Sequence, residues 1–406
     1  MMRLQHILLA FLLLLLAAPI PTILILHGRS SGGPLEAWLA NRTLTGVPLP
    51  RQDVIFSKET WLDGSYQRSV TQWINENFAG RELAIRCFNQ VLWSLFEKSY
   101  MHHESIIGGQ QSQLFGGVYL DHFSHMGPLQ SDEALDRVAA DIGNLNARLR
   151  LYHVPLVVLF TPSKPLTMPE FVPERYLAKR ILTPTVYERD RLKIRLAAAG
   201  IPVLDGAELT RSLRGRLPMP PFPKTGLHWT DLAAFYTAEA LLRKLEPMIG
   251  RPLAHLELSN LQFSNTPKPP DDDVLQLLNL AEPHFDRYAY AKVSRSPVVS
   301  GRQGRLVLVG GSFLHALNRI WEEGEVWQEI DHYFFSLALI HYPEGNSASF
   351  DLATIDWPQT IGRADAVVVE INEAIVGSDY STKFIAAALH GLPEPAPPIS
   401  SLRSTH

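Results

Sequence analysis

Four short apolar runs set the frame for this chain. "VPLVVLFTP" (154–162), "IPVLD" (201–205), "RLVLVG" (305–310) and "AVVVEI" (366–371) each have the length and the β-branched content of a buried strand. The segments between them have helical spacing. Ser131 precedes a helix with Asp132 and Glu133 in its first turn, and a second helix over about 184–199 stops at Gly200. A third, over 230–246, lines Ala234, Ala238, Leu241, Leu242 and Leu245 along one face. Strands alternating with helices predict an α/β fold with a largely parallel sheet.

The ends of the chain read differently. Residues 7–26 carry no charge, and a run of that length spans a bilayer as a helix. The apolar residues continue past the small-residue stretch "LAAP" to Leu26, which favours an uncleaved anchor over residues 1–28 against a cleaved signal peptide. Residues 29–50 read as a spacer, 51–390 as the globular domain and 391–406 as a Pro/Ser-rich disordered tail. Within the domain, 61–96 predicts helices and "IIGGQQSQLF" (106–115) predicts two strands joined by a turn. Residues 255–304 read as an irregular excursion, with "PPDDD" (269–273) as a solvated acidic loop.

Composition narrows the function classes. With 46% hydrophobic and 19% charged residues the chain can build a core. The net charge of -4, with no long basic run, gives no support for nucleic-acid binding. Cys87 is the single cysteine, so neither an intrachain disulfide nor a cysteine-rich metal site is available. His102, His103, His122 and His125 fit no standard zinc spacing, and no metal or cofactor is called for.

Two residues stand out chemically. In "LVLVGGSFLHAL" (306–317) a strand ends in Gly310, Gly311 and Ser312, and a helix follows. Active sites of open parallel sheets lie at the carboxyl ends of strands. The helix start aims its positive end at the same place, which suits a developing oxyanion. Ser312 therefore reads as a nucleophile, with Gly310 and Gly311 as the oxyanion loop; an N-cap serine is the plainer alternative. A serine needs a base, and His228 in "FPKTGLHWTDLAAF" (222–235) lies in a turn before a helix whose N-cap is Thr230. Packing at a helix start is the competing reading for this histidine.

The motifs come in a telling order: "WLDGSYQ", "IIGGQQSQLF", "TPSKPLTMPEFVPERY" (161–176), the "HW" turn, "GGSF" and "VVVEINE" (367–373). In this order they resemble the SGNH-hydrolase-like family of alginate O-acetylation proteins, the AlgJ/AlgX type. The resemblance implies an SGNH-hydrolase-like parallel sheet flanked by helices, in permuted order with the histidine motif ahead of the serine motif. It implies a periplasmic O-acetyltransferase of a bacterial exopolysaccharide, held at the inner membrane by a single pass. The acetyl group would come from a membrane-bound O-acyltransferase partner. Ser312 and His228 with Trp229 fall on the family's catalytic motifs. Ser163, Lys164, Trp229 and Asn372 fall where substrate contacts are expected, though Ser163, Lys164 and Asn372 equally suit a structural role. One departure stands out: Gly226 occupies the place of the aspartate in the family's Asp-x-His-Trp motif. Asp205, Asp231 and Thr225 are the candidates for orienting His228 in its stead. The same departure also suits a catalytically silent glycan-binding or scaffold subunit, and a carbohydrate esterase is a third reading.

Overall fold

The computed structural model describes residues 44–46, 56–77, 81–98, 106–126, 129–182, 186–284, 286–296 and 301–394. The expected anchor, most of the spacer and most of the tail lie outside these residues. No helix among the described residues is long and apolar enough to cross a membrane. The chain divides into two compact units: residues up to Ile107 with Val274–His284, and Gly108–Asp273 with Phe285 onward.

The first unit carries helices Lys58–Leu62, Ser65–Asn77 and Arg81–Phe96, where the apolar spacing predicts helices. Ser57 caps the first through a reciprocal bond with Thr60. In the third, Asn89 Nδ2 donates to Leu278 O (2.9 Å) and Arg86 to Leu280 O (3.2 Å), so polar side chains satisfy carbonyls of the 274–284 segment.

The second unit is a three-layer α/β structure. Its sheet has seven strands: β1 (Leu156–Thr161), β2 (Val203–Asp205), β3 (Arg305–Gly310), β4 (Glu329–Phe334), β5 (Ala338–Tyr342), β6 (Asn346–Ser349) and β7 (Ala366–Asn372). Their order across the sheet is β6-β5-β4-β3-β7-β1-β2. β4, β3, β7, β1 and β2 are mutually parallel, while β5 and β6 add antiparallel to one edge. The sheet is thus mixed: its five parallel strands fit the expectation of a largely parallel sheet, and the antiparallel pair at one edge was not foreseen. β5 is half-buried along its length, and β6 is exposed and polar.

Alternation along the central strands builds a core on each face. Val157, Leu159, Leu306, Leu308 and Val368 meet α3 (Asp231–Ile249) and α4 (Leu314–Glu323). Leu156, Val158, Phe160, Val307, Val309, Val367 and Val369 meet α1 (Asp132–Arg150), α2 (Glu188–Ala198) and α5 (Asp379–Gly391) on the other. Residues 255–304 are more ordered than expected: Leu256–Ser264 and Tyr288–Arg295 pair as antiparallel strands. A register irregularity at Leu258/Asn260 breaks the alternation that would have marked the first of them.

Candidate active site

Ser312 follows β3 at the carboxyl edge of the sheet, two residues before α4 begins. His228 lies in the turn before α3, whose N-cap is Thr230, with its Oγ accepting from Ala233 N. The two come together: His228 Nε2 is 2.6 Å from Ser312 Oγ. Trp229 locks the two loops to each other. Its indole N–H donates to Phe313 O (3.1 Å), and its ring packs edge-on against Phe313, which also covers His228. Trp229 is buried, so it aligns the loops that carry His228 and Ser312 and offers no surface to a substrate.

The acid comes from the stretch expected to be a solvated loop. Asp273 Oδ2 lies 2.8 Å from His228 Nδ1, and its Oδ1 accepts from Leu227 N (3.0 Å). Ser312, His228 and Asp273 therefore make a hydrogen-bonded chain of hydroxyl, imidazole and carboxylate, the order that a nucleophile, its base and the group orienting the base require. Gly226 has a matching explanation. A Cβ there would stand 2.6 Å from Asp271 O and 3.0 Å from Asp273 Oδ1. The glycine makes room for the acidic loop that delivers the carboxylate.

The three residues expected to replace the motif aspartate do other work. Asp205 binds Lys193 (2.7 Å) and Arg189 (3.3 Å) and caps helix Gly206–Ser212. Asp231 opens α3 and pairs with Arg319 of α4, joining the two helices. Thr225 Oγ1 donates to Asp271 O (2.8 Å) and contacts the Tyr288 hydroxyl (2.8 Å), so it holds the acidic loop and not the imidazole. Asp273 escaped the sequence reading because its 45-residue separation from His228 hides the pairing. The signal that could have found it is an acid run lying between the two catalytic motifs, opposite a glycine where an acid was due.

Ser163, Lys164 and Asn372 are buried and belong to the scaffold. Lys164 Nζ is ringed by the carbonyl oxygens of Leu114 (2.8 Å), Pro223 (2.6 Å), Lys224 (3.0 Å) and Gly226 (3.0 Å). It fixes the turn leading into His228. Burial pushes its pKa down to about 7, against the nearby Asp273 carboxylate and the carbonyl cage, both of which favour the charged form. Ser163 donates its N–H and hydroxyl to Glu373 (2.7 and 3.1 Å). Asn372 donates to Thr161 Oγ1 and Pro162 O, so it ties the ends of β1 and β7 together.

The glycine pair is also reassigned. Gly311 N–H donates to Glu370 Oε2 (2.8 Å), a buried carboxyl on β7 whose other oxygen meets Thr161 Oγ1. Burial raises the Glu370 pKa above the ordinary carboxylate value; Thr161, Gly311 and His228 pull it back. A Cβ at Gly310 would stand 2.6 Å from Glu370 Cβ, so the glycine lets the two strands close around this carboxyl. With Gly311 N–H engaged, the Ser312 N–H is the backbone donor at the nucleophile without a partner among the described residues. His315 and His332 stay neutral, pushed by burial down to about 4 and about 3. Among the described residues no cluster of His, Cys, Asp or Glu could hold a metal ion.

A serine at the carboxyl edge of a three-layer α/β sheet, with a histidine and an aspartate aligned behind it, is an arrangement suited to nucleophilic acyl chemistry. Residues 123–313, just under half of the chain, match the family described as "SGNH hydrolase-like domain, acetyltransferase AlgX". This stretch holds Ser312, His228 and Asp273. No curated protein matches the chain. Solved structures similar to it include the O-acetyltransferase domain of Pseudomonas putida AlgJ, at 16% identity over 71% of this chain and 99% of that one, with a TM-score of 0.47. Pseudomonas aeruginosa AlgX is 14% identical over 70% of this chain and 65% of its own, with a TM-score of 0.44. A DHHW family protein from Eubacterium siraeum is 11% identical over 74% and 99%, also at 0.44.

Proposed function

We propose that the chain is a periplasmic O-acetyltransferase that moves acetyl groups onto hydroxyls of a bacterial exopolysaccharide. The observation that carries this reading is the Ser312–His228–Asp273 chain of hydrogen bonds, on the stretch that matches an acetyltransferase family. His228 takes the Ser312 proton as Oγ attacks the carbonyl carbon of an acetyl donor, and the donor's leaving group departs with that proton. Ser312 N–H stabilises the oxyanion. A sugar hydroxyl then gives its proton to His228 and attacks the acetyl-serine, and the proton returns to Ser312. Asp273 keeps Nδ1–H donating, so that Nε2 faces the serine as the base. The donor is a membrane-bound O-acyltransferase partner, and residues 1–28 hold the enzyme at the inner membrane. A silent scaffold drew its support from the empty acid position at Gly226, and Asp273 removes that support. An esterase would share the acyl-enzyme and differ only in admitting water as acceptor.

The test uses the full chain in detergent with a chromogenic acetyl ester. Intact-mass measurement should find one acetyl group, mapped to Ser312 and absent in Ser312→Ala. His228→Ala and Asp273→Asn should slow acylation by roughly 10²- to 10⁴-fold. Equal inertness of the wild type and all three variants towards several donors would overturn the assignment.

A further inference from the structure

A cavity of about 400 Å³ opens on the same edge of the sheet as Ser312. One wall is the segment Ala374–Ser378, which leaves β7 just beyond Asn372. β7 lies beside β3, the strand that ends at Ser312, and its Glu370 already touches Gly311. The other walls come from helix Gly117–Phe123, the residues after it and the start of α2. The segment is braced from behind: Tyr380 OH receives the Asn372 N–H (3.1 Å), and Ser336 Oγ donates to Tyr380 O.

The lining is two-sided. Val118, Leu129, Ile375 and Val376 give it an apolar surface. Asp121, His122, His125 and Glu188 give it planar polar groups. The volume falls at the low end of small-ligand sites, about 300–1,000 Å³. His122 Nε2 lies 3.3 Å from Glu188 Oε2, whose other oxygen accepts from Gln130 N (3.2 Å). His125 is held at φ 57, a costly backbone for a side chain of this size, with its ring 4.6 Å from that of Tyr187. Nδ1 of both histidines is buried without a hydrogen-bond partner among the described residues, an unmet need in a native interior.

An apolar face opposed by carboxylates and imidazoles complements a sugar ring, whose C–H face is apolar and whose rim is hydroxyl. The charges select among sugars. Two carboxylates line the cavity and no described lining residue is a lysine or arginine. Arg180, next to the histidines, is stacked over the rings of Phe123 and Tyr187. Burial keeps His125 below its ordinary pKa, so it brings no compensating charge at neutral pH. A uronate would set its carboxylate against Asp121 and Glu188, whereas a neutral ring meets acceptors for its hydroxyls.

We propose that this cavity is a subsite for a neutral sugar unit of the acceptor glycan, beside the unit that Ser312 acetylates. The inference rests on the acetyltransferase reading and deepens it by naming the class of acceptor.

The test compares full-length wild type with Val118→Trp, a half-exposed position from which the indole fills the cavity without disturbing the core, and with Glu188→Gln. Neutral β-linked gluco- and galacto-oligosaccharides and an oligomannuronate of equal length are titrated by calorimetry. Acetylation of Ser312 by a chromogenic ester is followed in parallel. The expected result is that a neutral oligosaccharide binds, that its Kd rises at least about ten-fold in Val118→Trp, and that Ser312 acetylation is unchanged. Binding of no neutral oligosaccharide, unchanged affinity in Val118→Trp, or preference for the uronate made stronger by Glu188→Gln would overturn the subsite. The two readings fail separately. Loss of glycan binding in Val118→Trp with no acetylation of wild-type Ser312 would support the subsite and sink the transferase. Acetylation with an indifferent cavity would do the reverse.

Discussion

Glu370 is the residue whose chemistry reaches furthest beyond its own position. It is fully buried beside the nucleophile, accepts from Gly311 N–H and meets the Thr161 hydroxyl. Both partners donate to it, and Asn372 in turn donates to Thr161 Oγ1. Burial nevertheless raises its pKa above the ordinary carboxylate value. The sign follows from linkage: a folded pKa above the unfolded value contributes stability at low pH that is lost as pH rises through the folded pKa. Glu370→Gln keeps the shape and an acceptor for the Gly311 N–H and removes the ionisable group. It should keep kcat within about three-fold of wild type and abolish that decline in stability. Glu370→Ala leaves the Gly311 N–H and the Thr161 hydroxyl unsatisfied and should cost about 2–4 kcal/mol in urea denaturation, together with most of the activity. Comparable loss in both variants would mean that the ionised carboxylate is what matters. At this scale Ser312 and His228 were legible because each sits in a local signature of glycines, an aromatic neighbour and a helix start. Glu370 and Asp273 were not, because their partners lie 59 and 45 residues away and only the fold pairs them.

Among the elements, the acidic loop before helix Asp273–Leu277 shows why local composition misled. Three consecutive aspartates after two prolines have the composition of a solvated turn. Instead Asp271 and Asp272 are buried, and the loop is anchored by Thr225 and the Asp271 carbonyl. Burial raises the Asp271 pKa to about 6, opposed by Tyr290, and its Oδ1 has no hydrogen-bond partner among the described residues. With the folded value above the unfolded 3.8, its favourable contribution is complete below about pH 4 and is lost as pH rises through about 6. Asp271→Asn should therefore stabilise the protein at pH 8 by about 1–3 kcal/mol and flatten the thermal stability between pH 4 and 6. Thermal unfolding across that range checks it, and an unchanged pH profile would show that Asp271 is not the group responsible. The central strands were readable for the opposite reason: β-branched runs buried on both faces need no partner to declare themselves. The strands Leu256–Ser264 and Tyr288–Arg295 are stabilised by pairing with each other, which no local window contains.

For the molecule as a whole, the question is which part of the topology supplies the third member of the triad. The sequence resemblance places it two residues before the histidine, on the same turn. The fold places it on a separate loop that crosses over that turn and occupies the space a side chain at 226 would need. These are alternative solutions to one geometric problem, because both carboxylates would have to stand against His228 Nδ1. The arrangement predicts that the motif cannot be repaired by one substitution. In Gly226→Asp the new Cβ would meet Asp271 O at 2.6 Å, and backbone can yield only by moving the loop that carries Asp273. Two carboxylates would then share one imidazole, which raises the pKa of one of them and weakens the alignment. Gly226→Asp should lose activity as severely as Asp273→Asn, roughly 10²-fold or more, and Gly226→Ala should lose nearly as much from the clash alone. The decisive variant is the double substitution Gly226→Asp with Asp273→Ala, assayed for Ser312 acetylation by intact mass. If its rate stays at the level of Asp273→Ala, the crossing loop is the sole source of the acid. If it recovers towards wild type, the turn retains the capacity to hold the aspartate, and the steric account of Gly226 is wrong.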